Sequence, residues 1–366
     1  MNAWLLRLPL VTPYKLAFGR VEALDTVIVR VVTAEGVEGF GEATLLTGYT
    51  DETIAETWDK AKGLVEAVRS AAFDLAAALD ALDAEHPFLT TAFRTAHEMA
   101  AGSPRLSLDA PTRVPILGLL QGDTPTRLEA EAAALLGQGY RTLKVKVGFE
   151  ARRDADMVAM AQRAVAGRAR IRIDANQGYA AKQAIDFVSR LSNDSIELFE
   201  QPCAASDWEA HAKVVPVARA RGIPLMLDES IYSLREIERA AGARTAEYVK
   251  VKLMKFSSLE RLEAAIARIR ALGLKPVLGN GVATDVGCWM EACVAARYID
   301  NAGEMNGFLK PRERLLADPL VFRDGAIEVP AHWRPRLDLA ALERLAIARV
   351  GSAPPTALQW KAKESP

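Results

Sequence analysis

The chain has 366 residues, of which 50% are hydrophobic and 25% charged, and its formal net charge is −1. This near-neutral balance provides no overall field that would favour nucleic acid or an anionic membrane as partner. No apolar run reaches the roughly 18 residues of a membrane span, and the N-terminus lacks the pattern of a signal peptide. The 3 cysteines lack CxxC spacing and suit a reducing compartment, so we expect a cytoplasmic protein.

Residues 1–112 predict an α+β domain, because β-rich segments at 3–9 and 25–34 precede helical patterns between 51 and 101. Two connections in this domain, 11–20 and 44–50, are predicted to form lids over a site. Their aromatic residues Tyr14, Phe18 and Tyr49 are candidate substrate contacts.

A regular repeat begins near residue 113. Six short apolar runs each end in a charged or amide-bearing residue, at intervals of 24 to 28: Lys146, Asp174, Glu200, Asp228, Lys252 and Asn280. Each interval fits one strand, one helix and two loops, so the repeat predicts an α/β fold with a closed parallel barrel over 113–322. The C-terminal ends of barrel strands meet at one mouth, where active sites are built.

The remaining barrel elements follow from the same spacing. The first strand is expected at 114–120 and the eighth at 301–306, with helices at 151–165, 181–191, 208–219, 234–241, 258–272 and 285–298. Residues 323–366, including a last helix at 337–350, should return to the N-terminal domain.

Three carboxylates, those of Asp174, Glu200 and Asp228, end successive strands. Like charges held together would repel one another unless a cation bound them. A ligand set made only of hard oxygen atoms suits Mg²⁺. The sequence therefore predicts a Mg²⁺ site at the barrel mouth.

Two lysines face this site from opposite sides. Lys146 ends the second strand and Lys252 the sixth, so together they could reach both faces of one substrate carbon as acid and base. Lys144 lies two residues before Lys146 on the same face of the strand. Its like charge is expected to lower the pKa of Lys146.

The motifs FGEAT, KVKVG, DANQGY, FEQP, DES and VKLMK together resemble the enolase superfamily, and within it the muconate-lactonizing and dipeptide-epimerase group. The resemblance covers nearly the whole chain. It implies a (β/α)7β TIM-like barrel with an α+β capping domain that the C-terminal segment completes. It also implies Mg²⁺ held by the three carboxylates, and abstraction of a proton α to a carboxylate to give an enediolate. By the same match Lys146 and Lys252 are the catalysts, and Asn176 and Glu229 orient the metal ligands and the lysine.

At several positions this sequence differs from the family's pattern, and these differences argue against some of the reactions known in the family. The only histidines are His86, His97, His211 and His332, and none ends a predicted strand, which argues against a histidine base of the mandelate racemase kind. Ala283 stands where muconate-lactonizing enzymes carry a glutamate, and Gly19 where epimerases of acidic dipeptides carry an arginine.

The eighth strand carries Glu304-Met305-Asn306-Gly307, where dipeptide epimerases have an Asp-x-Asp-Gly that binds the substrate ammonium group. Glu304, Asn306 and Asn280 are therefore predicted substrate contacts. An ion pair with Arg312 is the alternative role for Glu304.

The predicted substrate is a small-molecule carboxylate, and a homo-oligomer is expected by analogy. Racemisation or epimerisation of an amino acid or its derivative is the main hypothesis. The alternatives are a lyase that dehydrates a hydroxy amino acid such as cis-3-hydroxyproline, a cycloisomerase of the muconate type, and a barrel that only binds.

Overall fold

Two sheets of different connectivity organise the chain. The computed structural model describes residues 1–16, 19–46 and 51–351. The first sheet is antiparallel, with strand order β14-β1-β2-β3. Its strands are β1 (Asn2–Leu16), β2 (Gly19–Val32), β3 (Glu38–Leu45) and, from the end of the chain, β14 (Ala346–Gly351).

The first predicted lid is largely strand. β1 and β2 pair as far as Leu16 and Gly19, after a break in register between Pro9 and Tyr14. Phe18 and Tyr49 lie outside the described residues, and Tyr14 is described only through its backbone.

Two helices, α1 (Ile54–Ala67) and α3 (Pro87–Ala100), pack against the antiparallel sheet, and α2 (Leu75–Leu82) packs against α3. α3 lies directly against β3. A Cβ atom at Gly41 would be 2.3 Å from the carbonyl oxygen of Ala92 on α3, so only glycine permits this approach. Strand β3 and helix α3 are thus packed together in one α+β unit.

The second sheet is parallel and curled, with order β11-β10-β9-β8-β7-β6-β5. Its strands are β5 (Gly118–Leu120), β6 (Thr142–Lys146), β7 (Arg170–Asp174), β8 (Ile196–Glu200), β9 (Leu225–Leu227), β10 (Tyr248–Val251) and β11 (Lys275–Leu278).

Helices alternate with these strands: α4 (Pro125–Gly137), α5 (Ala151–Val165), α6 (Ala181–Arg190), α7 (Trp208–Ala220), α8 (Leu234–Gly242), α9 (Leu253–Phe256), α10 (Leu259–Ala271) and α11 (Asp285–Tyr298). Side-chain oxygens cap several N-termini, for example those of Thr124, Ser258 and Thr284. The predicted barrel helices are confirmed; the short α9 was not predicted.

The segment around Gly303 closes the barrel. The N–H of Glu304 donates to Leu278 O at 3.0 Å on the β11 side. The N–H of Gly303 donates to Pro115 O, and that of Leu117 donates to Gly303 O, both at 2.9 Å, on the β5 side. The segment thus takes the eighth strand position, and the predicted (β/α)7β fold is confirmed.

A small antiparallel sheet divides the predicted first barrel strand. β4 (Thr112–Pro115) pairs with β13 (Ala326–Val329), which pairs with β12 (Val321–Arg323). Only the later part of the predicted run, β5, belongs to the parallel sheet.

The predicted helix at 337–350 is wrong in its second half. α12 covers Leu339–Leu345, and the chain then continues as β14 along β1. Backbone pairing such as Ala3 with Val350 satisfies the edge of the sheet, and this tertiary contact overrides local helix propensity. Within the described ranges, none of the helices has the length and apolar character to cross a membrane.

Candidate active site

The strand ends bring the predicted charges together. Lys146, Asp174 and Glu200 are the last residues of β6, β7 and β8, and they lie in register: Lys146 beside Asp174, and Asp174 beside Glu200. Asp228 directly follows β9 and Lys252 directly follows β10. All five therefore lie at the mouth of the barrel, as the repeat predicts.

Two buried ammonium groups bridge the three carboxylates. Lys144 Nζ lies 2.8 Å from both Asp174 Oδ2 and Glu200 Oε2. Lys250 Nζ lies 3.0 Å from Glu200 Oε1 and 3.4 Å from Asp228 Oδ2. The carboxylate charges are thus compensated by side chains of the protein itself.

Lys250 was not predicted from the sequence as a site residue. The run YVKVKLM repeats the Lys-Val-Lys spacing of β6, and residues two apart share one face of a strand. That spacing was the available signal: Lys250 and Lys252 both point into the barrel mouth, where they contact Asp228.

Glu304 joins the same network from the eighth strand position. Its Oε2 accepts a hydrogen bond from Lys144 Nζ at 2.8 Å and another from Lys250 Nζ. Arg312, the alternative partner considered from sequence, instead donates from Nε to Leu10 O at 3.0 Å. Glu304 is therefore a fourth buried carboxylate, held by two lysines.

The two predicted catalytic lysines contact different carboxylates. Lys146 Nζ lies 2.5 Å from Asp174 Oδ2 and 2.5 Å from Asn176 Oδ1. Lys252 Nζ donates to Asp228 Oδ2 at 2.8 Å. The side chain of Lys146 is 32% exposed and that of Lys252 only 4%, so the two lysines approach the site from environments of different solvent access.

Asn176 links one lysine to the acidic side of the site. Its N–H donates to Asp174 Oδ1 at 2.8 Å, and its Nδ2 donates to Glu229 Oε1 at 2.9 Å. The backbone of Asn176 has φ of 40°, a left-handed conformation that asparagine tolerates better than most residues. This turn aims the amide oxygen of Asn176 at Lys146.

Gln201 is a second site residue that was not predicted from the sequence. Its Oε1 accepts from the N–H of Asp228 at 2.9 Å, and its Nε2 donates to Ser230 Oγ at 2.8 Å. Gln201 has φ of 39° and directly follows Glu200 in the FEQP motif. It therefore fixes the position of Asp228 relative to Glu200.

Neighbouring carboxyl groups have opposite pKa shifts. Burial favours protonation of Asp174, but the charges of Lys144 and Lys146 outweigh burial and lower the pKa of Asp174 to about 2. Burial, followed by the charge of Asp174, raises the pKa of Glu200 to about 7. Such divergence is characteristic of like charges confined in one functional site.

The lysines around Asp228 also differ. Burial disfavours the charged form of Lys252, but Asp228 and Glu229 outweigh burial and raise the pKa of Lys252. For Lys255, whose Nζ lies 3.0 Å from Asp228 Oδ1, burial dominates and lowers the pKa to about 8. A general base is most effective with a pKa near the working pH, so a role as base would require Lys252 to have additional positive charge nearby.

The predicted substrate contacts at the seventh and eighth strands are partly occupied by local bonds. Asn280 Nδ2 donates to Val282 O at 2.7 Å, and Asn280 Oδ1 accepts from Val282 N at 3.0 Å. Asn306 Nδ2 donates to Leu117 O at 3.1 Å, whereas its buried Oδ1 has no hydrogen-bond partner among the described residues. The side chain of Asn280 thus stabilises the turn that leads to Val282. The Oδ1 atom of Asn306 can still accept a hydrogen bond.

A cavity of about 40 Å³ lies at the mouth of the barrel. It is lined by Leu46, Lys144, Asp174, Asn176, Asp228, Lys250, Lys252, Asn280, Gly281, Val282 and Glu304. It is little larger than the roughly 30 Å³ share of one water molecule. A cavity of about 640 Å³ lies beside Glu229, Tyr232 and Trp208. Of the predicted catalytic and metal-binding side chains, those of Lys252, Asp174 and Asp228 line the small cavity, whereas Lys146 and Glu200 are not among its lining residues.

The donor chemistry of the site suits Mg²⁺, because three buried carboxylates meet at neighbouring strand ends. In the part of the chain that the structure describes, however, no three His, Cys, Asp or Glu side chains are arranged to hold a metal ion. The ammonium groups of Lys144 and Lys250 lie between these carboxylates instead.

Comparisons with known proteins agree with this architecture. Residues 127–335 match the family described as enolase C-terminal domain-like, and residues 4–84 match the mandelate racemase / muconate lactonizing enzyme N-terminal domain. The L-Ala-D/L-amino acid epimerase of Populus trichocarpa is 30% identical over 80% of this chain and 73% of its own length. The aromatic dipeptide epimerase of Herpetosiphon aurantiacus is 30% identical over 84% of this chain and 86% of its own length.

Among solved structures, the dipeptide epimerase from Cytophaga hutchinsonii, complexed with Mg and the dipeptide D-Ala-L-Val, shares the fold. Its TM-score is 0.83 at 22% identity, over 95% of this chain and 98% of that one. The chain is therefore an enzyme of the racemase and epimerase type, and it belongs to the mandelate racemase / muconate lactonizing enzyme family of the enolase superfamily.

Proposed function

We propose that this enzyme abstracts the proton α to a carboxylate with the help of Mg²⁺ and so racemises or epimerises an amino-acid derivative. One observation carries the proposal: Lys146 contacts the carboxylate of Asp174, whereas Lys252 contacts that of Asp228. The strand order places β7, β8 and β9 between the strands of the two lysines. The similarity to epimerases supports the reaction type.

The proton follows a simple route in this proposal. The neutral amine of one lysine takes the α-proton and becomes an ammonium group, while the other lysine, as an ammonium group, donates a proton to the opposite face of the same carbon. The configuration at that carbon is thereby inverted and no net proton is consumed. For the opposite enantiomer, Lys146 and Lys252 exchange roles.

Asp174, Glu200 and Asp228 would hold the metal ion. Bound there, Mg²⁺ would supply positive charge that stabilises the substrate carboxylate as the proton leaves and that favours the neutral form of nearby lysines. The Mg in the Cytophaga hutchinsonii structure supports this choice of ion. Asn176 and Glu229 would orient Lys146, because Asn176 bonds to both.

Glu304 bears on the substrate class. Its Oε2 is already paired with Lys144 and Lys250, so it offers little negative charge to a further cation. Glu304 would therefore stabilise a substrate ammonium group less than a carboxylate without cationic partners would. This favours a derivative whose α-nitrogen is acylated over one with a free amino group near Glu304.

Proton NMR in D₂O tests the proposal. Purified enzyme with Mg²⁺ is incubated with N-acyl amino acids, dipeptides, free amino acids and hydroxyprolines, and the α-proton signal is followed. Loss of that signal with an unchanged carbon skeleton is the expected result. New vinylic or ring-imine signals would instead show a dehydratase, and lack of exchange across a broad panel would argue against the proposal.

We also propose that the enzyme is a cytoplasmic homo-oligomer. This rests on composition and on analogy with the family, and light scattering coupled to size-exclusion chromatography tests the oligomeric state.

A further inference from the structure

Lys250 is an unexpected cation inside the barrel. It lies on β10 between the buried residues Val249 and Val251, and its side chain is only 2% exposed. Its Nζ contacts Glu200 and Glu304 and lies 3.4 Å from Asp228. Glu200 and Asp228 are two of the three carboxylates assigned to the metal.

The strand holds this positive charge in place. β10 pairs with β9 on one side and β11 on the other, so the backbone of Lys250 cannot move away from the mouth without breaking the barrel. Among the carboxylates that Lys250 Nζ contacts, Glu304 is the one that is not assigned to the metal, and it accepts through Oε2. An ammonium group and a metal ion that need the same oxygen atoms repel each other strongly in a buried site.

We propose that Lys250 is a built-in cation that competes with Mg²⁺ for Glu200 and Asp228 and thereby weakens metal binding. Glu304 is the carboxylate that accepts the Lys250 ammonium group when the metal is bound. The inference rests on the metal site of the proposed function. It makes Lys250 and Glu304 a pair that tunes metal affinity, separate from the lysines that move protons.

The test is a Mg²⁺ titration by isothermal calorimetry. Lys250→Met removes the charge, keeps a side chain of similar length, and should lower the Kd for Mg²⁺ by about tenfold or more. Lys275→Met is the matched control, because it makes the same change in net charge at the exposed start of β11 and should leave the Kd within about twofold. Thermal unfolding of both variants establishes that they are folded.

Glu304→Gln supplies the opposite perturbation. Without this acceptor the Lys250 ammonium group is left with Glu200 and Asp228, so Mg²⁺ binding should weaken about tenfold. In the double variant Lys250→Met/Glu304→Gln the effect of losing Glu304 should be smaller than in the single variant, because Lys250 is gone and Lys144 is the one remaining lysine of the two that Glu304 holds.

An unchanged or higher Kd in folded Lys250→Met protein would overturn the inference. So would Mg²⁺ binding that is undetectable in both the native protein and this variant. The first result leaves the proposed function standing, because the native enzyme still binds Mg²⁺ and its α-proton exchange is measured separately. The second removes the metal site itself.

Discussion

Replacing the two lysines one at a time separates their roles in catalysis. Lys146→Met and Lys252→Met each remove one of the amines to which proton transfer is assigned in the proposed function, and they keep the side-chain bulk. The carboxylates do not become unpaired: Asp174 keeps Lys144 at 2.8 Å, and Asp228 keeps Lys255 at 3.0 Å. We therefore expect both variants to fold.

The size of the effect follows from the role assigned to each amine. A positioned general acid or base contributes about 10²–10⁴ in rate, equivalent to about 3–5 kcal/mol of activation free energy. Each variant should therefore racemise the substrate at least about 100-fold more slowly. Each should still exchange the α-proton of one enantiomer, because the remaining lysine faces one side of the carbon.

The assay uses separate D and L forms of the substrate identified by NMR. Loss of the α-proton signal in D₂O reports exchange, and chiral chromatography reports racemisation. The expected result is that the two variants exchange opposite enantiomers. Racemisation within about tenfold of the native rate in either variant, or exchange of the same enantiomer by both, would refute the two-base assignment.

Two further predictions concern stability. Glu42 of β3 accepts from the N–H groups of Thr284 at 3.0 Å and Gly287 at 3.1 Å, at the start of α11, so Glu42→Ala leaves buried donors unpaired. Urea unfolding should show a loss of about 2–4 kcal/mol, and a loss under about 1 kcal/mol would contradict this reading. Burial raises the pKa of Glu52 from 4.5 to about 7. The folded protein therefore binds this proton more tightly than the unfolded chain. The stabilisation is complete below pH 4.5 and is lost as pH rises through about 7. The difference in unfolding free energy between native and Glu52→Gln protein should fall by up to about 1.4 kcal/mol per pH unit across that window, and a flat difference would count against it.

The sequence alone determined the barrel and the position of its charged strand ends. The interval between Asp174 and Glu200 reports one βα unit, and a parallel barrel necessarily brings such strand ends to one mouth. Helix bounds such as Ala151–Val165 were predictable because amphipathic periodicity and a capping side chain are local properties. Composition likewise indicated a globular protein.

Only the tertiary structure decided how the charges pair. Glu304 meets Lys144 and Lys250, residues 160 and 54 positions away in the chain, and no local pattern reports a contact across that separation. Residues 346–351 became strand β14 for a related reason, since the open edge of β1 offered backbone partners that a helix could not use. Periodicity and capping are written locally in the chain, whereas ion pairs and sheet edges depend on which distant segments the fold brings together.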